Sequence, residues 1–141
     1  MKNFNLQWSK APLSQLKDEI YAHFFAIVRG GKIVYIGNAN HADLSTLVQD
    51  TLELLGFDQS VHEVYLGRIR EYGSRRITDE TINGLHQLLV YARKPYLNKK
   101  GKFRYGGLAN LSLLNSGFQL LPGKVRAENR IVFLSSQMHA A

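Results

Sequence analysis

Two short runs of β-branched and aromatic residues, separated by a pair of glycines, most strongly constrain how this chain can fold. The runs are residues 24–28 and 33–36, and the residues between them read Arg29-Gly30-Gly31-Lys32. Residues of these types favour extended strands, and paired glycines supply the positive φ angles of a tight turn between antiparallel strands. The sequence therefore predicts a β-hairpin.

The elements on either side of this hairpin follow from the spacing of apolar residues. Apolar positions recur at helical spacing in residues 13–21, 43–55 and 78–92, and Pro95 ends the third helix. Residues 61–69 have the composition of a strand, and residues 118–121 and 131–134 predict a closing hairpin. Because no repeat or linker interrupts the chain, we expect residues 1–141 to form a single α+β domain.

Composition excludes several classes of protein. Hydrophobic residues make up 45% of the 141 residues and charged residues 21%, as in ordinary globular domains. The longest apolar runs are too short to span a bilayer and no secretion signal is visible, so we expect a cytoplasmic protein without a membrane partner. The chain has no cysteine, which excludes disulfides, thiolate zinc sites and cysteine nucleophiles.

The net charge of +7 is concentrated in one third of the sequence. Residues 81–127 contain no aspartate or glutamate and eight lysines or arginines, whereas the remainder holds ten basic and eleven acidic residues. Such a segment indicates an anionic partner, most simply nucleic acid, although a solvated basic face gives the same pattern. The candidate nucleic-acid-binding residues are Arg93, Lys94, Lys99, Lys100, Lys102 and Arg104.

Four further residues occur in an order that carries more information than any of them alone. Tyr35-Ile36-Gly37 ends the second strand of the hairpin, and Arg68 in the next strand is followed four residues later by Tyr72. Asn98 comes just after Lys94-Pro95, beyond the third helix. In this order the residues resemble the GIY-YIG nuclease family over residues 13–122, with Tyr35-Ile36-Gly37 at its YIG half.

The resemblance implies a GIY-YIG-like α/β sandwich, in which helices flank a small three-stranded antiparallel sheet and to which this chain adds a C-terminal hairpin. It also implies a shallow site that cleaves phosphodiester bonds in DNA with one Mg²⁺ or Mn²⁺ ion. There Tyr35 and Tyr72 would activate or position water, Arg68 would steady the scissile phosphate, and Asn98 would close the core. An arginine fork and a hard cation both suit the charge that develops on phosphorus.

The chain departs from the family pattern at two positions. His23-Phe24-Phe25 stands at the GIY half, so Phe25 keeps the ring of the expected tyrosine and loses its hydroxyl. His86, twelve residues before Asn98, stands where the resemblance places the metal-binding glutamate. His86 is thus the candidate metal ligand, although imidazole suits Mg²⁺ poorly because that ion prefers oxygen donors.

Three hypotheses follow from the sequence. The first is a GIY-YIG-like domain that binds DNA and whose cleavage activity is impaired or altered. The second is a catalytically inactive nucleic-acid or protein-binding module derived from the nuclease fold. In the third, the basic surface binds an acidic partner protein instead of nucleic acid.

Overall fold

Strands dominate this computed structural model. The described part of the chain comprises residues 2–19, 21–56, 62–70, 77–99, 102, 105–107, 110–121, 123–129 and 131–135. Its strands are β1 (Lys2–Ala11), β2 (Phe24–Arg29), β3 (Lys32–Asn38), β4 (Glu63–Ile69), β5 (Asn110–Ser116), β6 (Lys124–Glu128) and β7 (Ile131–Ser135). Its helices are a 3-10 helix (Leu13–Asp18), α1 (Leu44–Leu54) and α2 (Asp79–Arg93).

All of these strands belong to one mixed sheet that curls into a half-barrel, in the order β3-β2-β4-β1-β5-β6-β7. Neighbouring strands are antiparallel, except that β1 and β5 run parallel. The prediction of a small three-stranded sheet flanked by helices is therefore wrong. The strands on which it was based, β3, β2 and β4, form one end of a seven-stranded sheet.

Strand β1 is the reason for this difference. It places Phe4, Leu6 and Trp8 at alternate positions, so that they project from one face of the sheet. It pairs with β4 on one side and with β5 on the other, and so joins the hairpin end of the sheet to the C-terminal strands. The indole of Trp8 donates a hydrogen bond to the side-chain oxygen of Asn115 at 3.1 Å, which ties β1 to β5 within the core.

The sheet carries a hydrophobic core on each face. Helix α2 covers one face, where its leucines pack with Trp8, Phe24 and residues of β5 and β6. Helix α1 and the 3-10 helix cover the other face only over the hairpin end, where Phe25, Ile27 and Leu66 are buried beneath them. Arg68 and Tyr35 lie on this second face, whereas His86 lies on α2 against the first.

Several local predictions are confirmed. The hairpin forms around Gly30 and Gly31, both of which have positive φ. Helix α1 and strand β4 occur within the predicted ranges, and α2 extends one residue beyond its range, to Arg93. The first predicted helix is a 3-10 helix of six residues.

The closing hairpin exists, but its first strand is β6 and not residues 118–121. Those residues form a turn in which Phe118 and Leu121 are buried and Leu120 is partly buried. Phe118 stacks on Tyr65 with ring centroids 4.1 Å apart. Among the described residues, no helix is long and apolar enough to cross a membrane.

Gly37 gives a test of the packing between β2 and β3. It lies directly opposite Phe25, and a Cβ atom at Gly37 would stand 2.1 Å from Cε1 of that ring. We therefore expect Gly37→Ala to lower the free energy of unfolding by about 1–3 kcal/mol, the usual cost of overpacking. Chemical denaturation measures this cost.

Two further variants make the Gly37 test specific. Gly106→Ala is the matched control, because a Cβ atom there meets nothing within 4 Å. Combining Gly37→Ala with Phe25→Leu should recover part of the loss, since the smaller side chain makes room. Equal costs for Gly37→Ala with and without Phe25→Leu would show that the ring is not the obstacle.

Candidate functional site

The exposed edge of β3 is closed by residues that follow α2. A β-bulge leaves Val34 without a partner on β2, and its carbonyl accepts a hydrogen bond from the backbone N–H of Leu97 at 2.8 Å. Asn98 then bonds Ile36 twice: its Oδ1 accepts from the Ile36 N–H and its Nδ2 donates to the Ile36 carbonyl, both at 2.8 Å. The side chain of Asn98 thus replaces one residue of a further strand.

His86 contributes to the same closure from α2. Its Nε2 lies 2.9 Å from the Ile36 carbonyl, and because a carbonyl can only accept, Nε2 carries the proton. The ring also stacks on Phe24, with an angle of 11° between the planes. Burial lowers the pKa of His86, against a smaller opposing effect of this hydrogen bond, so the imidazole is neutral at pH 7.

The donor set around His86 does not fit the Mg²⁺ or Mn²⁺ that the nuclease resemblance implies. The Nε2 atom holds a proton and donates it to the protein backbone, so it offers no lone pair to a metal. In the part of the chain that the structure describes, no group of three histidine or acidic side chains is placed to hold a metal ion.

Tyr35 lies on the opposite side of the sheet from His86. It is half-buried, and its ring stands 5.8 Å from that of Phe25, centroid to centroid. Burial raises the pKa of the Tyr35 phenol, so the hydroxyl keeps its proton at neutral pH. A phenol in this state can donate a hydrogen bond but is a weak general base.

Arg68 is held by the protein on each of its guanidinium nitrogens. Nε donates to the backbone carbonyl of Tyr21 at 2.8 Å, and Nη1 donates to Oγ of Ser9 at 3.2 Å. Nη2 forms an ion pair with Oε2 of Glu19 at 2.8 Å. These contacts fasten the segment that follows the 3-10 helix to β1 and β4. Arg68 therefore has a structural role that its sequence context does not reveal.

The register of the sheet also separates Arg68 from Tyr35. Tyr35 lies opposite Ile27, which lies opposite Val64, and Arg68 is four residues further along β4. At about 4.8 Å between strands and about 3.3 Å per residue, the two positions are offset by about 10 Å across the sheet and about 13 Å along it. Tyr35, Arg68, His86 and Asn98 therefore do not converge on one small concavity. Tyr72 lies outside the described residues.

The structure does bring together a polar cluster that sequence reasoning missed. Asn38 donates to Oδ1 of Asn83 at 2.7 Å, while Asn40 and His41 both reach Oδ1 of Asp79, at 3.0 Å and 2.9 Å. The cluster is exposed, and it joins the loop after β3 to the start of α2. The concentration of asparagine after Gly37 is the sequence signal that could have indicated it. Its contacts account for the shape of this loop.

The basic residues at the end of α2 and in the segment after it form an organised surface, which we call the basic surface: Arg93, Lys94, Lys99 and Lys102, with Tyr96 among them. Lys94 ends the helix in the left-handed conformation, at φ 49°. Its Nζ donates to the carbonyls of Tyr91 and Lys102, at 3.0 Å and 2.6 Å, and lies 3.8 Å from the centre of the Tyr91 ring. One lysine thus fixes the course of the loop and keeps its own charge at the negative end of the helix dipole.

The other members of the basic surface face solvent to different degrees. Arg93 and Lys99 are exposed, and the ring of Tyr96 is 80% exposed. Lys102 is half-buried, and its Nζ donates to the Tyr96 carbonyl at 3.3 Å. Lys100 and Arg104 lie outside the described residues.

Comparison with known proteins adds no candidate. No protein-family model, curated protein or solved structure matches this chain.

The closure of β3 makes a prediction for Asn98. Asn98→Ala removes both bonds to Ile36 and leaves the N–H of that residue buried without a partner, so we expect a loss of about 2–4 kcal/mol in the free energy of unfolding. Asn98→Asp should also destabilise, because a carboxylate still accepts from the N–H but faces the Ile36 carbonyl. Thermal or chemical denaturation measures both. A loss below about 0.5 kcal/mol for Asn98→Ala would mean that the edge is closed by other means.

The lowered pKa values of two histidines predict how the stability of the fold depends on pH. Burial lowers the pKa of His86, and burial together with nearby Arg68 and His41 lowers that of His23, whose Nδ1 accepts from the Ile69 N–H. The unfolded chain therefore takes up protons at higher pH than the folded chain. The stabilisation is complete above the ordinary histidine pKa of about 6.5 and declines as the pH falls below it.

Substitution isolates the contribution of His86. His86→Gln removes the titrating group but keeps an N–H donor. Between pH 6.5 and 5, the stability of this variant should therefore fall less steeply than that of the parent chain. The two slopes should differ by up to about 1.4 kcal/mol per pH unit. Denaturation midpoints across this range measure the slopes. His23→Gln, whose amide oxygen can still accept from the Ile69 N–H, isolates the contribution of the second histidine in the same way. Equal slopes for the parent chain and His86→Gln would contradict the account.

Proposed function

We propose that this chain is a cytoplasmic nucleic-acid-binding domain that holds DNA on the basic surface, and that it works by binding and not by hydrolysis. The observation that carries this proposal is the basic surface itself. Its lysines and arginines come from a stretch of sequence without a single acidic residue, and Lys94 and Lys102 bond backbone carbonyls that fix the loop. Fixed positive charge of this kind suits a phosphate backbone.

Tyr96 adds a feature that a merely soluble basic face would not need. Its ring is almost fully exposed between Lys94 and Lys99, in a position where a base can stack on it. Basic side chains that follow the backbone, combined with an exposed aromatic ring, are the usual elements of a surface that binds nucleic acid with little sequence preference. The proposal therefore extends to unpaired or distorted DNA, in which base faces are accessible.

The hydrogen bonds that the candidate catalytic residues make within the protein support binding over cleavage. Arg68 directs its guanidinium to Glu19, Tyr21 and Ser9, and Asn98 directs its amide to the backbone of β3. A residue that stabilises a scissile phosphate must present unused donors to it. Three of the five N–H donors of Arg68 are already bonded within the fold, its charge is paired with Glu19, and one of the two N–H donors of Asn98 is bonded to Ile36.

Metal-dependent phosphodiester cleavage is the second candidate function. It is favoured by the resemblance of Tyr35-Ile36-Gly37, Arg68 and Asn98 to the nuclease pattern. A plasmid-nicking assay with Mg²⁺ and with Mn²⁺ separates the two functions. We expect no nicking above background. Nicking that disappears in an Arg68→Ala variant with an unchanged circular dichroism spectrum would replace our proposal with the nuclease function.

The proposal predicts a salt-dependent affinity for DNA that depends on two exposed side chains. Fluorescence anisotropy with a labelled single-stranded oligonucleotide should show an affinity that falls steeply as salt rises. Replacing Arg93 and Lys99 together by glutamine removes about two phosphate contacts. It should therefore weaken binding about tenfold at low salt and reduce the slope of log affinity against log salt by about 1.4, since each phosphate contact on a single strand contributes about 0.7.

The matched control changes the same amount of charge elsewhere. Lys2 and Lys17 are exposed and lie on β1 and the 3-10 helix, so neither is part of the basic surface. Their double glutamine variant should bind nearly as well as the parent chain. Equal loss in both variants would mean that net charge alone attracts DNA. Tight binding to an acidic polypeptide but not to DNA at low salt would favour an acidic protein as the partner.

A further inference from the structure

The two edges of the sheet differ in how their outward-facing backbone groups are bonded. At the β3 edge, the outward-facing backbone groups of Val34 and Ile36 are bonded by Leu97, Asn98 and His86. At the other edge, no strand of the described chain pairs with the far side of β7. An open strand edge is a template for another strand, and proteins usually protect such an edge with charge, proline or a bulge.

Strand β7 has none of these protective features. It reads Ile-Val-Phe-Leu-Ser, without a charged residue or a proline, and its register with β6 is unbroken. Ile131, Phe133 and Leu134 are 59%, 42% and 53% exposed, which is high for such large apolar side chains. Because side chains alternate along a strand, Ile131 and Phe133 lie on one face of the sheet and Leu134 on the other. Both faces are therefore apolar at this edge.

The hairpin geometry indicates which backbone groups of β7 face outward. Only Asn129 and Arg130 separate Glu128 from Ile131, so this two-residue loop closes on a hydrogen-bonded pair. Bonded and non-bonded pairs then alternate along an antiparallel ladder. Phe133 bonds to β6, whereas the N–H and carbonyl groups of Val132 and Leu134 point away from the sheet.

We propose that β7 pairs antiparallel with β7 of a second copy of this chain, centred on Phe133 opposite Phe133, so that one sheet runs through both molecules. In this register Val132 faces Leu134 of the other copy as a hydrogen-bonded pair, and Ile131 faces Ser135. The outward-facing groups of Val132 and Leu134 are thereby all used. The two Phe133 residues form a non-hydrogen-bonded pair, in which side chains approach most closely.

The charges beside β7 favour a second copy over the anionic partner proposed for the basic surface. The strand itself is neutral, and Arg126 beside it is paired with Glu128 of the same chain at 3.6 Å. The guanidinium of Arg126 also lies over the Phe133 ring, 4.6 Å from its centre. In the paired arrangement each ring keeps this contact on its own side and meets its counterpart on the other. A two-fold axis thus brings together apolar groups and no like charges.

Single-cysteine variants test both the pairing and its register, because the natural chain has no cysteine. In a non-hydrogen-bonded pair the Cα atoms lie about 4.5 Å apart, within the range of a disulfide. Phe133→Cys should therefore form a covalent dimer under mild oxidation, seen on a non-reducing gel. Ser135→Cys is the matched control, since in this register the two Ser135 positions are offset by about 13 Å along the strands. It should remain monomeric on the same gel.

Light scattering on the parent chain, which keeps Phe133, supplies the second measurement. We expect a dimer that dissociates on dilution, and Leu134→Pro should make the chain monomeric while its circular dichroism stays unchanged. Proline is tolerated there because the Leu134 N–H points away from β6. A monomer at all concentrations, or equal cross-linking of Phe133→Cys and Ser135→Cys, would overturn the proposal. So would a dimer that Leu134→Pro leaves intact.

Discussion

The amide of Asn98, bonded to both backbone groups of Ile36, is the interaction on which much of this structure depends. It ends the sheet at β3 without another strand, and it fixes the chain that leaves α2 against that edge. His86 joins the same carbonyl from the body of the helix, so the helix and the sheet are held in one register. The basic surface begins at Arg93 and Lys94, about two turns of α2 beyond His86. Its position therefore follows from a contact made by two residues with no charge at neutral pH.

This arrangement gives a physical reason why we propose binding for a sequence that resembles a nuclease at its motifs. The resemblance implies that Asn98 closes the core, and in the structure both polar atoms of its side-chain amide are bonded to the backbone of Ile36. Arg68 is likewise surrounded by Glu19, Tyr21 and Ser9. The same residue types that handle phosphate are also suited to satisfying backbone groups. Contacts with residues distant in sequence decide whether such a side chain binds phosphate or bonds the protein backbone.

Local features of the fold could be predicted from the sequence because their causes are local. Paired glycines gave the turn after β2, and apolar periodicity together with the cap at Thr78 gave α2. The mixed sheet could not be predicted in this way. The pairing of β1 with β5 joins residues more than a hundred positions apart, and a buried Trp8–Asn115 bond supports it. The buried turn at residues 118–121 carries apolar residues for a tertiary reason, so its composition resembles that of a strand.

One part of the candidate site could likewise be predicted from the sequence, and another part could not. The basic surface was predictable because Arg93, Lys94 and Lys99 are neighbours in sequence and the helix end brings them together. The separation of Tyr35 from Arg68 was not, because it depends on the register of three strands. The tautomer of His86 and the partners of Arg68 likewise require coordinates. Residue order can therefore suggest a chemistry, but sheet register determines whether the groups meet.

Amide hydrogen exchange at Ile36 tests the central claim most directly. An N–H on the outer side of an edge strand ordinarily exchanges quickly with solvent, unless a partner protects it. If Asn98 closes this edge, the Ile36 N–H will exchange only at the rate of global unfolding, as slowly as amides of central β4. Exchange of Ile36 within minutes, while β4 remains protected, would show that the edge is open. The amide of Asn98 would then be available for other partners.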